Sequence, residues 1–474
     1  MSELCRLSAV EAVERLRSGE VSPLEMVEAA IARIEAVDGE VNALPVRLFE
    51  QARAKARQFD VAAGEGPGWL AGLPVAIKEF NDVAGVPTTY GSPIYARNIP
   101  ERSDLTVRNL EAHGAIVLAK SNVPEFAGSN TFNPVYGTTR NPWDLRMTAG
   151  GSSGGAAAAL AAGEVWLANG SDLGGSLRIP ASYCGIAGLR PSVGRVPRGE
   201  GLPAFDPLWV EGPMARSVAD LALMLDAQVG PEREDPYAQA VPGQSFGADL
   251  TTAKPPHRVA FTSDLGLGRQ VDSEVVALCR TATARFGSLG AEVYDGGPDL
   301  SGSIESYQTL RALMIANVRG GLLPEHRERI APEIVWNIEK GFNLTAAEIL
   351  AAEAARHRIF NAMTGFFRGT DILACPTVVL PPFPVEERFP TEVNGEPLET
   401  YIDWMFLTFC LSLTGCPCLS VPIGLTKSGL PVGLQLVARP HADADLLAAG
   451  HLLEKAIGLP SLPIEPRRGP AVAG

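Results

Sequence analysis

The sequence predicts an α/β protein, on three observations. Residues 257–262 are apolar and extended in pattern, 271–289 are helical with Gly290 as cap, and 291–294 are extended again, a strand–helix–strand rhythm. The alternation recurs upstream, where a helix at 104–113 meets a strand at 115–119 across Gly114. Third, 474 residues at 46% apolar and 20% charged can build a large core, in one big domain or two to three smaller ones.

Taken in order, the first elements are helices. Ser8 and Glu11 form a capping box, Val10, Val13 and Leu16 supply an apolar face, and Gly19 closes the turn. Ser22 and Glu25 repeat the start signal with Pro23 at the first helical position, and Leu24, Val27, Ala30, Ile31 and Ile34 follow at helical spacing. A third helix is predicted over 48–59. After the loop 64–68, residues 74–77 read as a short buried strand that ends on Lys78. A lysine there is usually where the chain meets water, but a desolvated lysine loses its charge readily and becomes a base. Residues 129–134 form a polar loop, 186–189 and 194–196 short strands, 217–229 a helix and 231–256 a long surface connection. Helices are predicted at 310–317 and 346–367, a strand at 371–377, a hairpin of 419–423 with 432–437, and a last helix at 443–456.

Composition excludes several function classes. A net charge of −14 with no Lys/Arg run argues against a nucleic-acid surface. Seven cysteines, odd in number and mostly in apolar surroundings, suit a reducing compartment, and Cys416-Pro-Cys418 has the wrong spacing for a redox or zinc motif. Residues 404–425 carry no charge and could span a bilayer by length, but Gly415, Pro417, Pro422 and Gly424 break them into a buried helix, a turn and a strand at 418–423. The acidic N-terminus does not resemble a signal peptide. The expectation is a cytoplasmic protein with no membrane or nucleic-acid partner, no cofactor and no metal.

Residues 148–182 hold two glycine–serine clusters, 150–155 and 174–176, joined by an alanine-rich segment that reads as a buried helix. A phosphate-binding loop does not fit, because GGSSGG lacks the Lys-Ser/Thr of a P-loop and Gly174–Arg178 lacks GxGxxG. A nucleophile elbow at Ser153 would need a buried strand immediately before it, and residues 144–148 do not read as one. The later histidines fall mostly in helical or surface contexts, so a Ser–His triad is poorly served. What is left is serine chemistry without histidine, in which a neutral lysine deprotonates a serine directly or through a second serine.

GGSSGG at 150–155, SDLGGSLRIPA at 171–181, CGIAGLRP at 184–191, the strand LPVAIK at 73–78 and NPWD at 141–144 together resemble the amidase signature family, over nearly the whole chain. The resemblance implies a large mixed central sheet covered by helices on both faces, in a single domain over 1–474. Within it, 1–65 would be a helical layer, 66–230 the signature core, 231–370 a variable substrate-shaping region, and 371–474 a return to the core. It also implies a triad: Ser176 as nucleophile, Ser152 as bridging serine 24 residues earlier, and Lys78 as base. The amides of Leu173, Gly174, Gly175 and Ser176 would form the oxyanion hole, the 151–152 peptide would be cis, and Ser153, Asp172 and Arg178 would support the loops. Ser171 and Glu79 stand where threonine and aspartate are common. The activity implied is hydrolysis of a small or aryl amide, with a carbamate (urethane) or ester as related substrates; the alternative is the glutaminase component of a tRNA-dependent amidotransferase (its A component), which works with partner subunits. A homodimer is compatible with either. Tyr90, Asn130, Phe132, Cys375 and Thr377 are expected to line the pocket, with the loop 202–209 and the helix 310–317.

Overall fold

A computed structural model describes residues 1–199, 203–230, 232, 234–459 and 463–469. The two N-terminal start signals work as the sequence predicts. Ser8 and Glu11, then Ser22 and Glu25, exchange reciprocal hydrogen bonds that begin helices Ala9–Ser18 and Pro23–Val41. Thr345 and Glu348 begin helix Ala346–Phe366 in the same way.

Among the described residues, strands drawn from residue 46 to residue 437 form an 11-stranded sheet. Its order is Val46–Arg47, Ile116–Ser121, Pro74–Lys78, Leu167–Asp172, Val210–Ala215, Ala187–Arg190, Cys418–Leu425, Pro431–Val437, Ile372–Pro376, Arg258–Phe261, Glu292–Asp295. The sheet is mixed, and where the directions fall matters for the site. Pro74–Lys78 runs parallel to Leu167–Asp172, so both strands deliver their C-terminal ends to one edge. Leu167–Asp172 is antiparallel to Val210–Ala215.

Helices cover both faces. Successive strand residues point to opposite faces. Leu419 and Val421 lie against Gly450 of helix Asp443–Ile457, whereas Ser420 points at Gly433 beside Ser182 of helix Arg178–Cys184. The alanine helix, Gly154–Ala162, is buried along its whole length. Its small residues let it approach other backbone closely: a Cβ on Gly155 would stand 2.7 Å from the Ala43 carbonyl oxygen.

Several expectations are corrected. Residues 194–196 form a turn, because Gly194 takes a positive φ of 77° and packs against the Tyr237 carbonyl. Asp144–Thr148 is a strand after all, but it pairs with Arg140–Asn141 in a separate two-stranded sheet. The helix predicted at 310–317 extends over Ser303–Arg319, and the connection 231–256, whose residues 231 and 233 lie outside the described set, contains helix Phe246–Thr251. The helix predicted at 271–289 is two shorter ones, Ser273–Thr283 and Arg285–Ser288. The apolar run 404–425 divides into helix Phe406–Ser412 and strand Cys418–Leu425, and no helix among the described residues is long and apolar enough to cross a membrane.

Candidate active site

Lys78 closes a strand whose five residues are all buried. Its backbone N–H donates to Asn169 Oδ1 at 2.7 Å, which clamps the end of the lysine strand to Leu167–Asp172. Its side-chain nitrogen is wholly buried and lies 2.8 Å from Ser152 Oγ, 2.9 Å from Ser171 Oγ and 3.4 Å from the Ser171 carbonyl. Burial pulls Lys78 down from the ordinary lysine range to about 7, against the opposing pull of Glu211 and Asp172. A lysine in that state is partly neutral near physiological pH and can accept a proton.

Ser152 is reached through a turn that only glycine permits. Gly150 has φ of 75°, the Gly151–Ser152 peptide is cis, and a side chain on Gly151 would collide with the Ser129 backbone. Ser153 ties the two loops together: its N–H donates to the Ser176 carbonyl at 3.2 Å and its hydroxyl to the Ser171 carbonyl at 3.5 Å. Ser176 is half-buried, whereas Ser152 is 1% exposed. Of the two serines, Ser176 is the more exposed.

Asp172 organises the second loop. One carboxylate oxygen accepts the Gly175 N–H at 2.8 Å, Arg178 Nη2 at 2.9 Å and Arg190 Nη1 at 3.1 Å. The other accepts Leu177 N–H and Arg178 Nε. Burial alone would push this carboxyl up; Arg178 and Arg190 outweigh it and hold Asp172 below the usual carboxylate range. Arg178 also donates to the Thr408 carbonyl, Gln435 Oε1 and Ser412 Oγ, so the loop is anchored across the core. One expected oxyanion donor changes role here. The Gly175 N–H is committed to Asp172, which leaves the amides of Leu173, Gly174 and Ser176 as candidates.

The expected pocket residues divide. Tyr90 lines a cavity of about 180 Å³ with Phe80, Asn81, Glu211 and Arg319. Phe132 lines another of about 380 Å³, beside Ser129 and Arg388. Asn130 donates to the Arg388 carbonyl, and its own side-chain oxygen is buried without a hydrogen-bond partner among the described residues. Cys375 and Thr377 are corrected: both are core residues, 0% and 1% exposed, bonded to Gln435 and Ser420. The strand that carries Cys375, with Thr377 just past its end, lies six positions along the sheet from the lysine strand. From the helix expected at 310–317 it is the flanking residues that matter: Tyr307 packs against Gly174, and Arg319 lines the cavity with Tyr90. Trp209 stacks on Phe80 at 5.0 Å, while residue 202 of the same loop lies outside the described residues. Asn169, Arg190 and Glu211 escaped the sequence reading. Asn169 and Glu211 sit on strands recognised only once the sheet is assembled, whereas Arg190 ends the strand expected at 186–189.

A family model described as Amidase matches residues 25–447. The chain is 36% identical to an acylamidase of Rhodococcus erythropolis, over 93% of each. It is 37% identical to the A component of the glutamyl-tRNA(Gln) amidotransferase of Anaeromyxobacter sp. (strain K), over 98% of this chain and 99% of that one. In structure it superposes on a bacterial aryl acylamidase of the amidase signature enzymes with a TM-score of 0.89 at 31% identity, covering 96% and 97% of the two chains. A 6-aminohexanoate cyclic dimer hydrolase gives a TM-score of 0.87 at 28% identity, with 99% of each chain covered.

Proposed function

The chain belongs to the amidase signature family, and from that premise we propose that it hydrolyses small or aryl amides through Ser176, Ser152 and Lys78. The observation that carries this reading is the fully buried Lys78 amine, 2.8 Å from Ser152 Oγ. Neutral Lys78 takes the Ser152 proton as Ser152 takes that of Ser176, and Ser176 Oγ attacks the carbonyl carbon. The amides of Leu173, Gly174 and Ser176 face the developing oxyanion. Ser152 returns a proton to the leaving nitrogen, the C–N bond breaks, and water then hydrolyses the acyl-enzyme with the proton path reversed. Carbamates and esters present the same carbonyl to the same groups and extend the proposed range.

A second reading is favoured by the end-to-end identity of 37% to the amidotransferase component, for which glutamine would be the amide and other subunits the acceptors of ammonia. One experiment separates them. The purified chain alone is assayed on anilides, aliphatic amides, carbamates and glutamine, beside Lys78→Ala. Turnover of anilides or simple amides that vanishes in Lys78→Ala supports the first reading. Cleavage of glutamine only, and only with added partner subunits, supports the second. Near-wild-type rates in Lys78→Ala overturn the triad.

A further inference from the structure

Three neighbouring strands place three polar side chains in a row. Lys78 ends the first, Ser171 lies on the second, and Glu211 lies on the third, directly opposite Ser171 in the antiparallel register. Residues directly opposite in such a pair project to the same face of the sheet. Because the Lys78 amine reaches Ser171 Oγ at 2.9 Å, Glu211 shares the face on which that amine sits.

Glu211 is 6% exposed. One carboxylate oxygen accepts Trp209 Nε1–H at 3.0 Å; the other is buried with no hydrogen-bond partner among the described residues. The residue lines the cavity that also takes Phe80 and Asn81, which follow Lys78 in the chain by two and three positions. A buried carboxylate with half its acceptors unused is costly as a structural brace, since one apolar residue of similar size would avoid the desolvation.

Resting on the triad reading above, we propose that Glu211 is a positioning residue for the reaction, whose carboxylate one strand beyond Ser171 sets how much of Lys78 is neutral. The charged groups around the pair are few. Lys78 faces Glu211 and Asp172, and of these two carboxylates Glu211 holds the lysine charge more strongly. Glu211 faces Lys78, Asp104 and Arg198, with the Trp209 indole as donor, and Asp82 and Arg319 complete the cavity's charges. Asp172 is tied up by two arginines, whereas Glu211 is free to change state: burial pushes it up to about 7, the value to which burial pulls Lys78 down. Two groups so matched lose their protons as a pair, and removing one charge moves the other's titration.

The test reads the lysine through a probe that needs no knowledge of the substrate. A fluorophosphonate is attacked by Ser176: an O–P bond forms, the P–F bond breaks, fluoride leaves, and the Ser176 proton passes through Ser152 to Lys78. Labelling rate is followed by intact mass from pH 5 to 10 for the wild type, Glu211→Gln, Glu211→Asp and Lys78→Ala. Glutamine keeps the acceptor for Trp209 but not the charge, so Lys78 sheds its proton more easily. The midpoint of the acid limb should fall by about one pH unit. Glu211→Asp should stay near the wild-type midpoint. Should Glu211→Gln fail to fold, Trp209→Phe serves: it removes the donor that favours the carboxylate, and the midpoint should fall by less. A folded variant whose midpoint does not move, or rises, overturns the inference while leaving the triad intact. Labelling of Lys78→Ala at the wild-type rate overturns the triad, and the inference falls with it.

Discussion

Lys78 Nζ and Ser152 Oγ lie 2.8 Å apart, with the two residues 0% and 1% exposed. An amine in that position has given up water for three oxygen atoms, those of Ser152 and Ser171. The desolvation that suits it to the proposed role of base also ties that role to stability.

That tie predicts a pH-dependent stability difference. The folded Lys78 titrates near 7, well below the ordinary lysine value it has in the unfolded chain, about 10.4. Between those two values the unfolded chain binds a proton that the folded chain does not, so stability from this group rises with pH across the window and is lowest below pH 7. Lys78→Met lacks the group. Its Tm relative to wild type should therefore be highest at pH 7 and decline toward pH 10, while turnover is lost at both. A relative Tm that stays level from pH 7 to 10 would mean the folded lysine keeps its charge.

The two serines should fail differently. Ser176→Ala removes the attacking oxygen and should abolish both turnover and covalent labelling. Ser152→Ala leaves the nucleophile but breaks the contact to Lys78, so kcat should fall by about 10²–10⁴ with KM nearly unchanged, the scale of a lost proton-transfer group. Steady-state kinetics within twofold of wild type for Ser152→Ala would remove it from the proton path.

What could be read from the sequence was whatever is written locally. Capping boxes at Ser8 and Ser22 and the glycines around Ser152 state their geometry within a few residues. The partners of Lys78 could not be read that way, because Asn169 and Ser171 come beside it, and Glu211 opposite Ser171, only when three strands assemble. Strand Leu167–Asp172, LANGSD, is fully buried yet half polar, so no alternation of apolar and polar residues marks it. Cys375 and Thr377 misled for the same reason. A strand end looks the same in sequence whether it opens on a cavity or, as here, on Gln435 and Ser420.

The cysteines offer a separate test. All seven are free and buried, and burial pushes the thiols of Cys375, Cys410 and Cys416 up to about 12. A thiolate is the reactive form, so the native protein should resist a disulfide reagent at pH 8 and release seven equivalents only after denaturation. Fast reaction of any thiol in the native state would show that part of the core opens.

Asp172 joins stability and site in one side chain. It accepts from the amides of Gly175 and Leu177, the residues on either side of Ser176, and pairs with Arg178 and Arg190 in full burial. Asp172→Asn removes the only carboxylate bonded to either guanidinium among the described residues and turns an amide donor toward groups that are themselves donors. Breaking a buried pair from one side costs about 3–5 kcal/mol, read as a loss of unfolding free energy in urea at pH 7. The sign with pH follows from the depressed carboxyl. Its contribution is complete above the unfolded value of about 3.9 and is lost only as pH falls toward the lower folded value, so the gap to wild type should hold from pH 8 to 5 and close in stronger acid. Labelling of Ser176 should also slow in the folded fraction, because asparagine keeps a single acceptor oxygen and one of the two amides that fix the serine's backbone, Gly175 or Leu177, loses its partner. A variant with normal labelling but reduced stability would confine Asp172 to holding the arginines.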